Sequence, residues 1–129
     1  MASRDFFIYT AEFLPIAASS SVTVRVPIQG DSDFELTEIT GDVRATDETE
    51  TVIAAPAALV QIADAGSGRL LFDRPQIWDN IIGTAERPFI LPMPKMFSAN
   101  SVISVALTNN VAAEKKVRIS LIGYKHFAE

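Results

Sequence analysis

Residues 87–124 read RPFILPMPKMFSANSVISVALTNNVAAEKKVRISLIGY, and within them two apolar series keep a period of two. Ile103, Val105 and Leu107 alternate with Val102, Ser104, Ala106 and Thr108, and Val117, Ile119 and Leu121 alternate with Arg118, Ser120 and Ile122. Pleated strands send successive side chains to opposite faces, so each series describes a strand with one buried face. Asn109 and Asn110 open a polar turn between them, and the reading is a strand pair joined by a hairpin whose register the long turn leaves open. Ahead of the pair, Pro88, Pro92 and Pro94 fix three backbone angles and remove three amide donors. Leu91 to Lys95 is therefore expected as an ordered extended loop or a sheet edge, never a central strand.

The rest of the chain repeats this grammar. Phe6, Phe7, Ile8 and Tyr9 form a short aromatic run after a polar start, a first strand or a docking arm. Val22, Val24, Val26 and Ile28 alternate with Thr23, Arg25, Pro27 and Gln29, which points four aliphatics at a core. On that reading Val24→Asp abolishes folding, because it buries an unpaired carboxylate. Phe34, Leu36 and Ile39 continue on a next strand, with a bend or bulge at Gly41. Residues 44–51 are a polar loop, and Leu59, Val60 and Ile62 follow Pro56 as an apolar strand that Asp64, Gly66 and Gly68 end. Residues 69–72 form a short strand. Between Pro75 and Thr84 a single helical turn is expected, with Ile77, Trp78 and Ile81 on one face. Seven or eight short strands punctuated by Gly, Pro, Asn, Asp and Ser are the pattern of an all-β sandwich or barrel with little or no helix.

The chain of 129 residues fits one domain spanning 1–129, with residues 1–12 as a possible docking or swapped strand. There is no cysteine, so disulfides, thiolate metal sites and cysteine nucleophiles are excluded and apolar packing must hold the fold. The start has no basic region leading into a long apolar segment, and no apolar run is long enough to cross a membrane as a helix. The expectation is a soluble protein made in the cytoplasm, with no membrane partner. Residues 1–50 carry ten acids and three bases, whereas residues 51–129 carry six acids and eight bases. A net charge of -5 argues against a nucleic-acid partner, which needs a positive field to displace counterions.

Chemistry-bearing clusters are sparse. Asp31, Asp33, Glu35, Glu38, Asp42, Asp47, Glu48 and Glu50 hold half of the acids, yet Gly30-Asp31-Ser32-Asp33 offers only two ligands before a strand begins, short of a calcium loop. His126, the only histidine, lies at a terminus where chains are usually poorly ordered. No catalytic residue, metal ligand or cofactor site is assigned. Gly66-Ser67-Gly68 reads as a tight turn. Trp78 with Phe72, Phe89 and Phe97 reads as packing before it reads as a sugar platform. Lys115, Lys116 and Arg118 read as charge guarding a sheet edge.

Four groups of residues carry a resemblance: Phe6-Phe7-x-Tyr9; Arg87-Pro88-Phe89 with Leu91-Pro92-Met93-Pro94; Ser98-Ala99-Asn100-Ser101 leading into Val102–Thr108 and Asn109; and Leu121-Ile122-Gly123-Tyr124-Lys125. Together they resemble capsid cement, or decoration, proteins of short-tailed bacteriophages, over residues 5–10 and 87–125. The resemblance implies an antiparallel jelly-roll β-sandwich of about eight strands. It also implies a homodimer on the outer surface of a virion, with the major capsid protein as partner and no enzymatic activity. The proline-pinned loop then presents Phe89, Ile90, Leu91, Met93, Met96 and Phe97, and the N-terminal run presents Phe6, Phe7, Ile8 and Tyr9. A tail, head-fibre or receptor-binding virion component is the alternative, and a carbohydrate-binding module with an aromatic groove is a third class.

Overall fold

The computed structural model describes residues 3–45, 58–110 and 113–127. Nine strands and one helical turn follow in order: β1 (Ser3–Ile16), β2 (Ser21–Pro27), β3 (Asp33–Ala45), β4 (Ala58–Asp64), β5 (Arg69–Leu70), β6 (Gln76–Ile77), α1 (Trp78–Ile81), β7 (Phe89–Phe97), β8 (Val102–Asn109) and β9 (Lys115–Phe127). One sheet has the order β1-β9-β3-β7. The other runs β2-β8-β4-β5, with β6 also paired to β4. Every strand pairing is antiparallel. With β5 and β6 taken as one position beside β4, the chain changes sheet at every connection except the one from β4 to that position, which is the jelly-roll-like sandwich.

The inner faces are those that the alternation marks. Ile103, Val105 and Leu107 on β8 and Val60 and Ile62 on β4 meet Phe34, Leu36 and Ile39 on β3 and Val117, Ile119 and Leu121 on β9, all of them buried. Two expectations change here. β8 and β9 are not a hairpin: β8 pairs with β2 and β4, and β9 lies between β1 and β3. Their apolar faces oppose one another across the sandwich. In β2 only Val26 is fully buried; Val24 is half-buried and Val22 is exposed. Ile28, just after the strand, is buried as well. A core-breaking carboxylate therefore belongs at Val105, which has no exposed surface, and Val105→Asp replaces Val24→Asp as the substitution that abolishes folding.

The bulge also sits elsewhere than expected. Registers shift between Leu36 and Glu38 in both pairings of β3, so the extra residue is Thr37, whose hydroxyl donates to the Ile122 carbonyl at 3.2 Å. One inserted residue flips the parity. That is why Ile39 and Val43, rather than Glu38 and Asp42, reach the core. Beside the bulge, a Cβ on Gly123 would collide with the Glu35 carbonyl oxygen, so glycine at this position lets β3 and β9 approach closely. Gly41 instead makes room for a ring: a Cβ there would stand 2.7 Å from Trp78 Cζ2. Trp78 and Ile81 are buried as the helical turn predicts, but Ile77 precedes the turn in β6 and is exposed.

Two loops are settled by hydrogen bonds. In Ser98-Ala99-Asn100-Ser101, Asn100 takes φ 66° and Ser101 donates through N and Oγ to the Ser98 carbonyl at 3.1 and 2.6 Å. Gly66-Ser67-Gly68 is the tight turn expected, with Gly68 N donating to Asp64 O at 2.8 Å. The polar loop after Arg44 and the segment around Pro56 lie outside the described residues, apart from their flanks in β3 and β4. Gly123→Ala is expected to destabilise the domain by about 1–3 kcal/mol, the scale of an overpacked site whose neighbour is backbone. A melting temperature unchanged from wild type would contradict that packing.

Candidate functional site

The titratable residues are shared out in pairs. Lys125 points inward from β9, 5% exposed. Its ammonium donates to Gln29 Oε1, lies 3.4 Å from both Asp31 carboxylate oxygens and sits 4.0 Å from the Phe7 ring centroid. His126 Nε2 is 2.6 Å from Glu35 Oε1, Arg44 bridges Asp42 at 2.8 Å, and Asp33 Oδ1 accepts the Ala99 N–H at 2.9 Å. His126 is thus held in β9, opposite Asp33 and Arg4, and not in a loose terminus. Among the described residues no group of three or more His, Cys, Asp or Glu side chains is arranged to hold a metal ion. Asp47, Glu48 and Glu50 lie outside the described residues. The basic cluster does not guard an edge either, because β9 is an interior strand and Arg118 bridges Glu12 on β1 at 3.5 Å.

A different feature emerges on the outer face of the β1-β9-β3-β7 sheet. Strand order and register place Phe6, Tyr124, Glu35 and Met96 side by side in one row across all four strands. Ile8, Ile122, Glu38 and Ile90 form the next row. Directly opposed residues on one face of a sheet are in side-chain contact range, so these rows form one surface. Phe6 is 62% exposed, Ile90 66% and Met96 54%. Two stretches of sequence more than eighty residues apart are joined here, and Ile122 and Tyr124, half-buried between them, complete the strip. Arg4 lies over the Tyr124 ring, 4.3 Å from its centroid.

The proline segment borders this surface. Between Ile90 and Lys95 the ladder to β3 breaks, leaving Leu91, Pro92, Met93 and Pro94 without Cα partners. Prolines cannot donate to a ladder, and the segment bulges from the edge. Met93 is 77% exposed. Behind it, a cleft of about 200 Å³ is lined by Ile39, Leu71, Phe72, Phe89, Leu91, Pro92, Met93 and Lys95. That is below the roughly 300–1,000 Å³ of small-molecule sites and suits an inserted side chain.

Of the residues expected to face a partner, Phe6, Ile8, Ile90, Met93 and Met96 are exposed, while Phe7, Phe89 and Leu91 are half-buried against the core. Two are corrected. Tyr9 is 7% exposed, stacks edge-on with Phe34 and accepts the Gln29 N–H on its hydroxyl at 3.0 Å. Phe97 is 2% exposed. Odd-numbered β1 positions and Phe97 lie on the inner face, so neither ring is presented outward. The N-terminal run is likewise not detached: Ser3 to Phe13 pair without a shift along β9 of the same chain. The sequence holds a signal for the missing members, because Leu121-Ile122-Gly123-Tyr124 is apolar on both faces of its strand.

No protein-family model matches this chain, and no curated protein matches it. Among solved structures it is similar to a chain of the cyanophage Pam1 capsid asymmetric unit, with 17% identity, 96% of this chain and 85% of that chain covered, and a TM-score of 0.48.

One pH dependence follows from the lysine cluster. Desolvation raises the Asp31 carboxyl, but the Ser32 hydroxyl, the Lys125 hydrogen bond and the Lys125 charge outweigh it and hold the group below its ordinary value of 3.8. A depressed carboxylate stabilises the fold fully above its unfolded value, and this contribution is lost as pH falls through the folded value. Asp31→Asn should therefore flatten the fall of melting temperature as pH drops below about 4. Wild type and variant losing stability in parallel over that window would contradict it.

Proposed function

We propose that this chain is a structural, non-enzymatic protein of a bacteriophage particle, which binds the outside of the capsid and stabilises it by bridging neighbouring major capsid subunits. The observation that carries this reading is the outer strip of Phe6, Ile8, Ile90 and Met96, joined by Ile122 and Tyr124. Its apolar residues form two groups on one sheet face, Phe6, Ile8, Ile122 and Tyr124 on β1 and β9 and Ile90 and Met96 on β7, with Glu35 and Glu38 of β3 between them. Exposed apolar residues grouped on one sheet face mark a protein contact far better than scattered ones do. The phage-specific part is supported by the resemblance over residues 5–10 and 87–125 and by a jelly-roll architecture of the kind used in viral capsid domains. Fold-level likeness alone never assigns a function, so the surface bears the weight.

Its parts suit such docking. β7 is pinned by prolines, and a preordered segment loses less entropy on binding. Exposed methionines adapt to irregular partner surfaces. Many copies on one shell add modest contacts by avidity. Trp78 is buried over Gly41 and offers no platform to a sugar ring, so the carbohydrate-binding reading gains nothing.

The test is co-sedimentation with heads of the phage that encodes the chain, prepared without it. Saturable binding that raises resistance of the heads to heat or low salt is expected. The pair Ile90→Lys with Met96→Lys, which sets unlike charges opposite Glu38 and Glu35, is expected to lose binding at least about tenfold while stability changes by no more than about 0.5 kcal/mol per surface site. Heads that ignore the protein, or bind the double variant as well as wild type, would remove this function.

A further inference from the structure

The four sheet edges of the sandwich are not alike. β7 is broken by Pro92 and Pro94, β5 and β6 are two residues each, and β2 is seven residues ending at Pro27. β1 differs: from Ser3 to Phe13 it runs without a proline or a register shift and, among the described residues, is paired on one side only, with β9. A long, regular edge is a template for another strand, and natural proteins blunt such edges unless they use them.

We infer that β1 of one copy pairs antiparallel with β1 of a second copy about a two-fold axis at Ile8, joining the two four-stranded sheets into one of eight strands. The choice of occupant and register comes from the charges. Arg4 and Glu12 share the outer face of β1 and stand four residues on either side of Ile8. Pairing centred on Ile8 places Arg4 across from Glu12 of the second copy, and Glu12 across from its Arg4. It also sets Ile8 on Ile8, Phe6 beside Thr10 and no like charges opposite. Centring on Phe7 puts Arg4 against Thr10, and centring on Tyr9 puts it against Leu14, so each loses both charge pairs. Directly opposed unlike charges favour a register and like charges oppose one, and a self-complementary patch is what a two-fold interface requires.

Both charged groups are placed for this role. The Arg4 guanidinium rests on Tyr124 at 4.3 Å and Glu12 is steadied by Arg118 at 3.5 Å, so less side-chain freedom is lost when they meet their opposites. The pairing would also bring the apolar strips of two copies together at the axis. It stands on the edge and its charges, apart from the capsid reading.

The experiment is molar mass by light scattering across a concentration series, for wild type, Arg4→Glu, Glu12→Arg and an equimolar mixture of the two variants, with thermal melts to show that each is folded. Wild type is expected at twice the 14.0 kDa chain mass. Each single reversal sets like charges opposite and should weaken self-association about 10- to 30-fold. The mixture restores both opposite-charge pairs and should return to the dimer mass. A monomeric or trimeric wild type, or a mixture no better than its components, would overturn the inference. Should a reversal fail to fold, Ile8→Cys supplies the only thiol in the chain. A short bis-maleimide should then crosslink two copies at that position, and failure to crosslink overturns the pairing. A dimer that follows these rules but ignores phage heads would count against the capsid reading alone. Heads stabilised by a monomer would count against the dimer alone.

Discussion

Close approach of β3 to β9 is the constraint from which the rest of the architecture follows. β9 lies between β1 and β3, and its odd-numbered residues Val117, Ile119 and Leu121 are buried against the opposite sheet. For β3 to stay in register with both β9 and the core, its apolar residues must change parity once. The bulge at Thr37 does this, and Gly123 admits the backbone that the bulge pushes toward β9. One inserted residue and one missing side chain thus decide that Phe34, Leu36, Ile39 and Val43 all face inward. They also decide that Glu35 and Glu38 occupy the middle of the outer face.

Period-two alternation makes the strands and most of the inward residues legible in the sequence. It says which face of a strand is buried, because burial is a property of one side chain at a time. It does not say which strand lies alongside. β8 and β9 therefore look like a hairpin in sequence, yet their turn carries the chain from one sheet to the other. The same limit hid the outer strip. Phe6 and Ile90 are readable as apolar, but only the order β1-β9-β3-β7 puts them on one surface. Tyr9 and Phe97 were misplaced for a local reason: an aromatic residue beside exposed ones is still inward if its parity is inward. His126 looks like a loose end in sequence because its partners, Glu35 and Asp33, arrive from a strand some ninety residues earlier.

The charge pattern also acquires a physical sense from this topology. The acids of β3 that look like a repulsive run in sequence all take the outer face of the sheet, where two of them meet bases, Asp42 with Arg44 two residues on and Glu35 with His126 of β9. Asp31, just before the strand, meets Lys125. Charges set within an apolar surface do little for raw affinity but penalise wrong partners and wrong registers. An outer face of isoleucine, phenylalanine and methionine with two central carboxylates is thus suited to a selective contact rather than to indiscriminate adhesion.

The most direct test of docking through this face is the peroxide oxidation rate of Met93 and Met96, read by mass spectrometry of peptides from the free protein and from particles that carry it. Both side chains are largely exposed in the isolated chain, and thioether oxidation follows exposure. Protection of both by an order of magnitude or more on the particle, roughly the loss expected when a contact excludes solvent, is the predicted result. Equal rates in the free and bound protein would contradict docking through the outer sheet and the proline bulge.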